Sequence, residues 1–216
     1  MPGGPPPQCS SEGHNEPNKF QIGAGVGSLN STLRFDDGTE AEITMNTVSL
    51  SASWRLNQTW SIRGGAGIIL DGELSPVGDT THEIQPGSLA ALGVVYQTAQ
   101  GGGARPYVDV SLFLSASTTT TRNPYFQSST SYVSTDLRLA GRASWMVKDK
   151  LFPYIAANVF GGPVFWTLNG NDVTGSDIHH YQISIGSAVQ LSGMTVFMDW
   201  AGIGENALSA GISYSL

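Results

Sequence analysis

Charge is what this chain has least of. Asp, Glu, Lys and Arg make up 12% of its 216 residues, where an ordinary soluble domain carries about 25%. Half of the usual solvating groups are therefore missing. Positive charge is the scarcer sign: 10 Lys and Arg face 17 Asp and Glu, for a net charge of −7. That balance excludes nucleic acid as a partner, because a phosphate backbone needs a basic face. Cysteine is limited to Cys9, so an internal disulfide and a Cys-rich metal site are both excluded. Long apolar runs are lacking too. Stretches such as Leu89 to Tyr96 are broken by Gly and fall short of the roughly 18 residues a membrane helix needs, which excludes a helical membrane protein.

What is present begins with a Pro-rich leader. Residues 1–18 hold Pro2, Pro5, Pro6, Pro7 and Pro17 with no periodic pattern, and read as a flexible segment. No charged-then-apolar signal peptide is seen, so the sequence reads as a mature form, with Cys9 an incidental thiol inside the leader. A single folded unit then spans residues 19–216.

From Phe20 onward apolar residues alternate with Gly, Ser and isolated charges at period two, the mark of strands with two unlike faces. Phe20, Ile22, Ala24 and Val26 share one parity; Val48, Leu50, Ala52 and Trp54 share the next. Ten such segments are expected, near 20–34, 40–56, 60–71, 87–98, 105–117, 131–147, 151–167, 179–191, 194–202 and 206–216. The connections alternate as well. Asn57-Gln58, Lys148-Asp149-Lys150 and Ser192-Gly193 are tight, the last a two-residue hairpin turn. Those at 72–86, 117–131 and 169–178 are long. Tight turns at one end and long loops at the other predict an all-β, ten-stranded, antiparallel, up-and-down barrel.

A soluble sandwich or barrel would alternate in the same way and bury its apolar parity. Two features decide for lipid. The polar parity is mostly Gly and Ser, with almost no Lys, and makes a poor soluble surface. The apolar parity carries aromatics near strand ends: Trp54, Trp60, Tyr96, Trp145 and Tyr214 near the turn end, and Tyr132, Trp166, Tyr181 and Trp200 near the loop end. Two aromatic girdles flanking an aliphatic band suit the interfaces of a bilayer. The fold class is thus a transmembrane β-barrel.

On these residues the chain resembles the small outer-membrane β-barrel proteins of Gram-negative bacteria, over residues 20–216. The resemblance includes the closing strand, Leu208-Ser209-Ala210-Gly211-Ile212-Ser213-Tyr214-Ser215-Leu216, which is similar to the C-terminal strand that the barrel-assembly machinery recognises. The family usually ends on Phe or Trp where this chain has Leu216. The resemblance implies outer-membrane residence, with long loops outside and short turns in the periplasm. It implies a lipid bilayer and lipopolysaccharide as surroundings. Acidic residues gather at the loop end (Asp36, Asp37, Glu40, Asp71, Glu73, Asp79, Glu83, Asp172, Asp177, Glu205) and read first as a solvated acidic crown.

Inward parity predicts what fills the lumen. It assigns Arg63, Arg138 and Arg142 as cations, Asp109, Asp136 and Asp199 as anions, and Tyr107, Phe113, Tyr154, Phe160 and Phe197 as bulk. Buried charges need partners, so pairs across neighbouring strands are expected, Asp109 with Arg142 among them. The expectation is a narrow polar lumen, constricted at Arg63, Asp109, Asp136, Arg138, Arg142, Asp199, Tyr107 and Tyr154. It would pass small ions or solutes at most; the alternative is a structural or adhesive barrel that presents its loops.

Catalysis and cofactor binding are not expected. Asp177-Ile178-His179-His180 and His82-Glu83 form the one His/acid constellation. It resembles that of omptins, ten-stranded outer-membrane proteases that use an Asp/His pair facing an Asp pair. Asp177 and His179 would match the first pair, and Asp36-Asp37 or Asp71 the second. Parity, however, sends His179 to the same side as the lipid-facing Tyr181. Asp/His spacing alone is also weak evidence for a metal, and Gly23-Ala24-Gly25-Val26-Gly27 opens no helix and fails the dinucleotide context.

Overall fold

The computed structural model describes residues 20–99, 101, 104–125, 129–168 and 170–216. The leader at 1–18, with Cys9, lies outside the described residues. The described chain forms thirteen strands: β1 (Phe20–Phe35), β2 (Glu40–Arg55), β3 (Trp60–Pro76), β4 (His82–Ile84), β5 (Gly87–Ala99), β6 (Tyr107–Arg122), β7 (Ser129–Ser144), β8 (Leu151–Gly161), β9 (Val164–Leu168), β10 (Asn171–Asp177), β11 (Tyr181–Leu191), β12 (Met194–Gly204) and β13 (Asn206–Ser215).

Ten of them close a ring in the order β1-β2-β3-β5-β6-β7-β8-β11-β12-β13, every neighbour antiparallel. The last strand returns to the first, from Gln21↔Ser215 to Asn30↔Asn206. These are the ten segments that period-two alternation predicts. Closure pairs the backbone groups of the ring, which a bilayer demands because it offers none.

The remaining three strands correct the expectation of long loops. The third and fifth connections are largely extensions of β3, β6 and β7, with β4 inserted between β3 and β6 above the end of β5. At the seventh, the chain breaks at Gly162-Pro163, resumes as β9 on β7, and returns as β10 on both β9 and β1. At the loop end the ring therefore reads β1-β2-β3-β4-β6-β7-β9-β10, eight strands instead of ten. Eight strands enclose a space that side chains can just fill, and here they fill it with apolar groups.

Tight turns form where short polar segments meet the turn end. Ser192 and Gly193 both take positive φ, 41° and 89°, the backbone a two-residue turn needs to match the twist of its strands. Asn57 Oδ1 accepts from the backbone N–H of Thr59 and Trp60 at 2.8 Å each, an Asx-type closure of the β2–β3 turn.

The outward face is apolar. Leu50, Ile68, Leu92, Leu114, Val159 and Ile185 are all exposed and form the aliphatic band. Trp54, Trp60, Tyr96 and Tyr214 stand exposed near the turn end, with Trp60 and Tyr96 in ring contact at 4.7 Å; Trp145 is half-buried there. At the other end Tyr181 and Trp200 are exposed, but Tyr132 and Trp166 are not: they are 2% and 1% exposed, inside the eight-stranded ring. Their place in the upper girdle is therefore corrected. They hold the parity of Asp136, Arg138 and Phe160, so strand alternation sends them inward while their neighbour Phe165 faces out.

Inside, bulk and glycine complement each other across strands. Phe113 lies over Gly93, Tyr154 over Gly186 and Phe197 over Gly211, each pair in direct register. A Cβ on any of these glycines would stand within 2.4–2.7 Å of the ring. The glycines make room for aromatics on the adjacent strand.

Candidate functional site

The lumen is layered. Nearest the turn end lie Phe152, Phe197 and Ala188, packed with Met146, and Tyr107, also buried.

Above them is a first charged layer. Asp109 and Arg142 face each other across β6 and β7. Arg142 donates Nε to Asp109 Oδ2 at 3.0 Å and Nη2 to Oδ1 at 3.3 Å. This forked geometry is the strongest form such a pair takes. The Arg142 guanidinium stands over the Tyr154 ring at 5.6 Å. Arg63, on β3, is 8% exposed and lies within electrostatic reach of Arg142, Asp109 and Arg55. Asp199 accepts from Ser184 Oγ at 3.2 Å, while the Tyr154 hydroxyl donates to the Met198 carbonyl oxygen at 3.5 Å.

A second charged layer centres on Arg138. Its Nε reaches Asp136 Oδ2 at 3.3 Å and its Nη2 reaches Glu205 at 3.1 and 3.3 Å, while Nη1 donates to Gln182 Oε1 at 3.3 Å. Gln182 Nε2 donates to Glu205 Oε1 at 2.9 Å, Asn158 Nδ2 to Gln182 Oε1 at 2.7 Å, and Phe160 lies 4.3 Å beneath the guanidinium. Two cavities flank this layer. The lower, of ≈ 120 Å³, runs along the small residues of β1, β2 and β3 down to Arg63. The upper, of ≈ 150 Å³, rises to Leu33, Ile43, Tyr132 and Val164. Asp136 and Arg138 line both.

Above the upper cavity an apolar plug closes the eight-stranded ring: Leu33, Phe35, Ile43, Ile69, Leu74, Ile84, Tyr132, Val164, Trp166 and Val173. Trp166 Nε1–H donates to Thr121 Oγ1 at 2.8 Å. His82 is 4% exposed and meets Trp166 edge-on at 5.1 Å. Neither of its ring nitrogens has a hydrogen-bond partner among the described residues.

No protein-family model matches the chain, and no curated protein matches it in sequence. Solved structures do. The outer membrane protease OmpT of Escherichia coli superposes with a TM-score of 0.60 at 10% identity, covering 96% of this chain and 100% of that one. The translocator domain of the autotransporter NalP of Neisseria meningitidis gives 0.53 at 12% identity, covering 94% and 90%. The transport unit of the autotransporter AIDA-I of Escherichia coli gives 0.52 at 11%, covering 92% and 90%. This is the outer-membrane β-barrel fold. At such identities the likeness extends to the fold alone.

The eight lumen residues expected from parity all face the interior of the barrel, in the two charged layers and against them. The acid and histidine residues of the loop end do not converge. Asp177 accepts from Ser31 Oγ and from the backbone N–H of His179. His179 packs against Tyr181, and His180, with φ of 51°, is exposed at the turn into β11. Asp36 accepts from Thr174 N–H, Asp37 from Thr39 N–H and Asp71 from Asn46. No cluster of three or more His, Cys, Asp or Glu suited to a metal occurs among the described residues.

Parity reasoning missed two things. Glu205, expected in the acidic crown, is 6% exposed and belongs to the Arg138 layer, because β12 and β13 end low and turn their connection into the lumen. The plug was missed as well, although Leu33, Phe35 and Ile43 hold the inward parity. Their apolar character on the supposedly polar side was the signal.

Proposed function

We propose that this barrel resides in a Gram-negative outer membrane, with the eight-stranded ring outside, and works as a narrow, gated channel for small solutes. One observation carries the reading: two cavities stand in series along the lumen and meet at the Arg138 layer. A barrel that served only as an anchor has no need of space on both sides of a charged layer. The constriction is assigned to Arg63, Asp109, Arg142, Asp199, Tyr107 and Tyr154 below, and to Asp136 and Arg138 above. The plug is the outer gate. A loop-presenting role is the weaker reading, since the long connections are consolidated into strands.

The same reading makes the barrel a non-enzyme. Asp177, Asp36 and Asp37 are each engaged in closing turns or strand ends, Asp71 pairs with Asn46 across β2 and β3, and His82 is buried within the plug. The β13 strand would present the signal read by the barrel-assembly machinery, and the acidic crown would sit among lipopolysaccharide head groups.

Planar-bilayer recording tests the channel. Wild-type protein should show small, infrequent conductance steps. Arg142→Ala should enlarge each step, and Trp166→Ala should make openings more frequent. Large porin-sized conductance in the wild type, unchanged by either substitution, would overturn the reading.

A further inference from the structure

Hydroxyl groups line one wall of the lower cavity. Ser49, Ser51 and Ser53 occupy alternate positions on β2, all half-buried and all bordering the space. Gly25 of β1 pairs with Ser49 and Gly65 of β3 with Ser51, and both glycines border the space too. Having no side chains, they leave it open in front of the serines. Ser209 completes the wall from β13, facing Gly27 across the β13–β1 pair. It is 5% exposed, and its Oγ has no hydrogen-bond partner among the described residues. A buried hydroxyl left without a partner is costly, and one that borders a cavity is satisfied by what enters it.

The charged groups around this space are matched within the protein. Arg63 ends the wall on the turn side, in register with Ser53, and shares its surroundings with Asp109 and Arg142. Arg142 grips Asp109 at two points and bears on Asp199. Across the lumen Arg138 engages Asp136 and Glu205. A ligand with a net charge of either sign would compete with these pairs; a neutral one competes with none. Phe113 and Phe197 also border the cavity and offer apolar surface to C–H groups.

We propose that this cavity binds a small neutral polyol, its hydroxyl groups exchanging hydrogen bonds with Ser49, Ser51 and Ser209 and its C–H groups lying against Phe113 and Phe197. A serine hydroxyl both donates and accepts, so a row of them suits a ligand whose own groups do the same. The volume of ≈ 120 Å³ corresponds to about four water molecules at the roughly 30 Å³ each occupies in the liquid, which limits the ligand to the size of a three-carbon polyol. The proposal deepens the channel reading by naming its solute class and rests on that reading for onward passage; binding itself does not depend on conduction.

The test therefore separates the two. Protein in lipid nanodiscs is titrated with glycerol, lactate and ethylammonium and followed by saturation-transfer NMR, with empty nanodiscs as the blank. Glycerol should bind saturably, and the anion and the cation at least tenfold more weakly. Ser49→Val, which puts methyl groups in place of a wall hydroxyl, should weaken glycerol at least tenfold, while Arg34→Gln, on the exposed surface, should leave it unchanged. Ser209→Ala gives a second, milder variant should Ser49→Val fail to fold, and it should weaken glycerol severalfold. Absence of saturable glycerol binding, which would leave water alone in the cavity, overturns the assignment. So does equal binding of either charged probe, or indifference to both serine variants. Glycerol binding in a protein that never conducts leaves this site standing and removes the channel; conduction without glycerol binding does the reverse.

Discussion

Gly186 shows how closely a single position is specified. Its Cα faces Tyr154 across β11 and β8, and an added Cβ would lie 2.4 Å from the ring and 2.6 Å from the Met198 carbonyl oxygen. Gly186→Ala should therefore destabilise the barrel by about 1–3 kcal/mol, the usual penalty for overpacking. Gly141→Ala, where a Cβ meets nothing within 4 Å, should be near neutral; urea unfolding midpoints in detergent compare the two. His82 is the other telling residue. It lies on β4, above the membrane-spanning ring, and burial lowers its pKa from 6.5, with Asp79 pulling the other way. Above that pH the folded and unfolded chains both hold it neutral. As pH falls through 6.5 the unfolded chain takes up a proton that the fold refuses, so stability declines, and it levels only below the folded pKa. The unfolding midpoint should fall between pH 7 and pH 5 in the wild type, and that part of the decline should vanish in His82→Leu.

At the scale of elements, β4 is the lightest closure in the molecule. It has three residues, three paired positions on β3 and two on β6, yet it completes the eight-stranded ring. Its hold comes from side chains: His82 and Ile84 reach into the plug beside Trp166. Trp166 is the largest fully buried side chain there, and Trp166→Ala should cost about 3–5 kcal/mol locally. Hydrogen exchange offers the measurement: amides of β4, β9 and β10 should lose protection while those of β1 to β3 within the ten-stranded ring keep theirs. Uniform loss throughout the barrel would show that the plug and the ring unfold as one unit.

As a whole, the molecule inverts the soluble pattern, with its aliphatic residues outside and its Gly, Ser and charges within. Removing lipid or detergent should therefore precipitate it. Closure of the ring gives it a compact form that resists detergent, so unboiled and boiled samples should migrate differently on a gel. A protein that stays soluble and monodisperse without detergent would contradict the fold as placed in a bilayer. The three arginines and four carboxylates of the lumen (Arg63, Arg138 and Arg142 with Asp109, Asp136, Asp199 and Glu205) lie on four of the ten ring strands and in the β12–β13 link, around one interior. Substitutions at Arg138, which contacts residues on β7 and β11 and in the β12–β13 link, should accordingly lower the unboiled form's resistance more than any substitution on the lipid face.

Sequence alone determined the ten strands, their order, the turn end and which parity faces lipid, because a pleated strand forces side chains to alternate and a bilayer demands a closed ring. The Asp109–Arg142 pair was legible for the same reason: hairpin register puts opposite charges side by side. Tertiary structure alone decided the narrowing from ten strands to eight. That depends on β9 and β10 crossing over the short ends of β11, β12 and β13 to reach β1, a pairing between segments more than a hundred residues apart that no local pattern encodes. Tyr132 and Trp166 were legible too, since they hold the inward parity of Asp136, Arg138 and Phe160; placing them in a girdle gave the aromatic type precedence over the alternation. What the tertiary structure added is the narrow ring that packs these inward side chains into a plug, driven by burial of apolar surface. Glu205 followed from the same crossing, which leaves the β12–β13 link low, inside the lumen and within reach of Arg138.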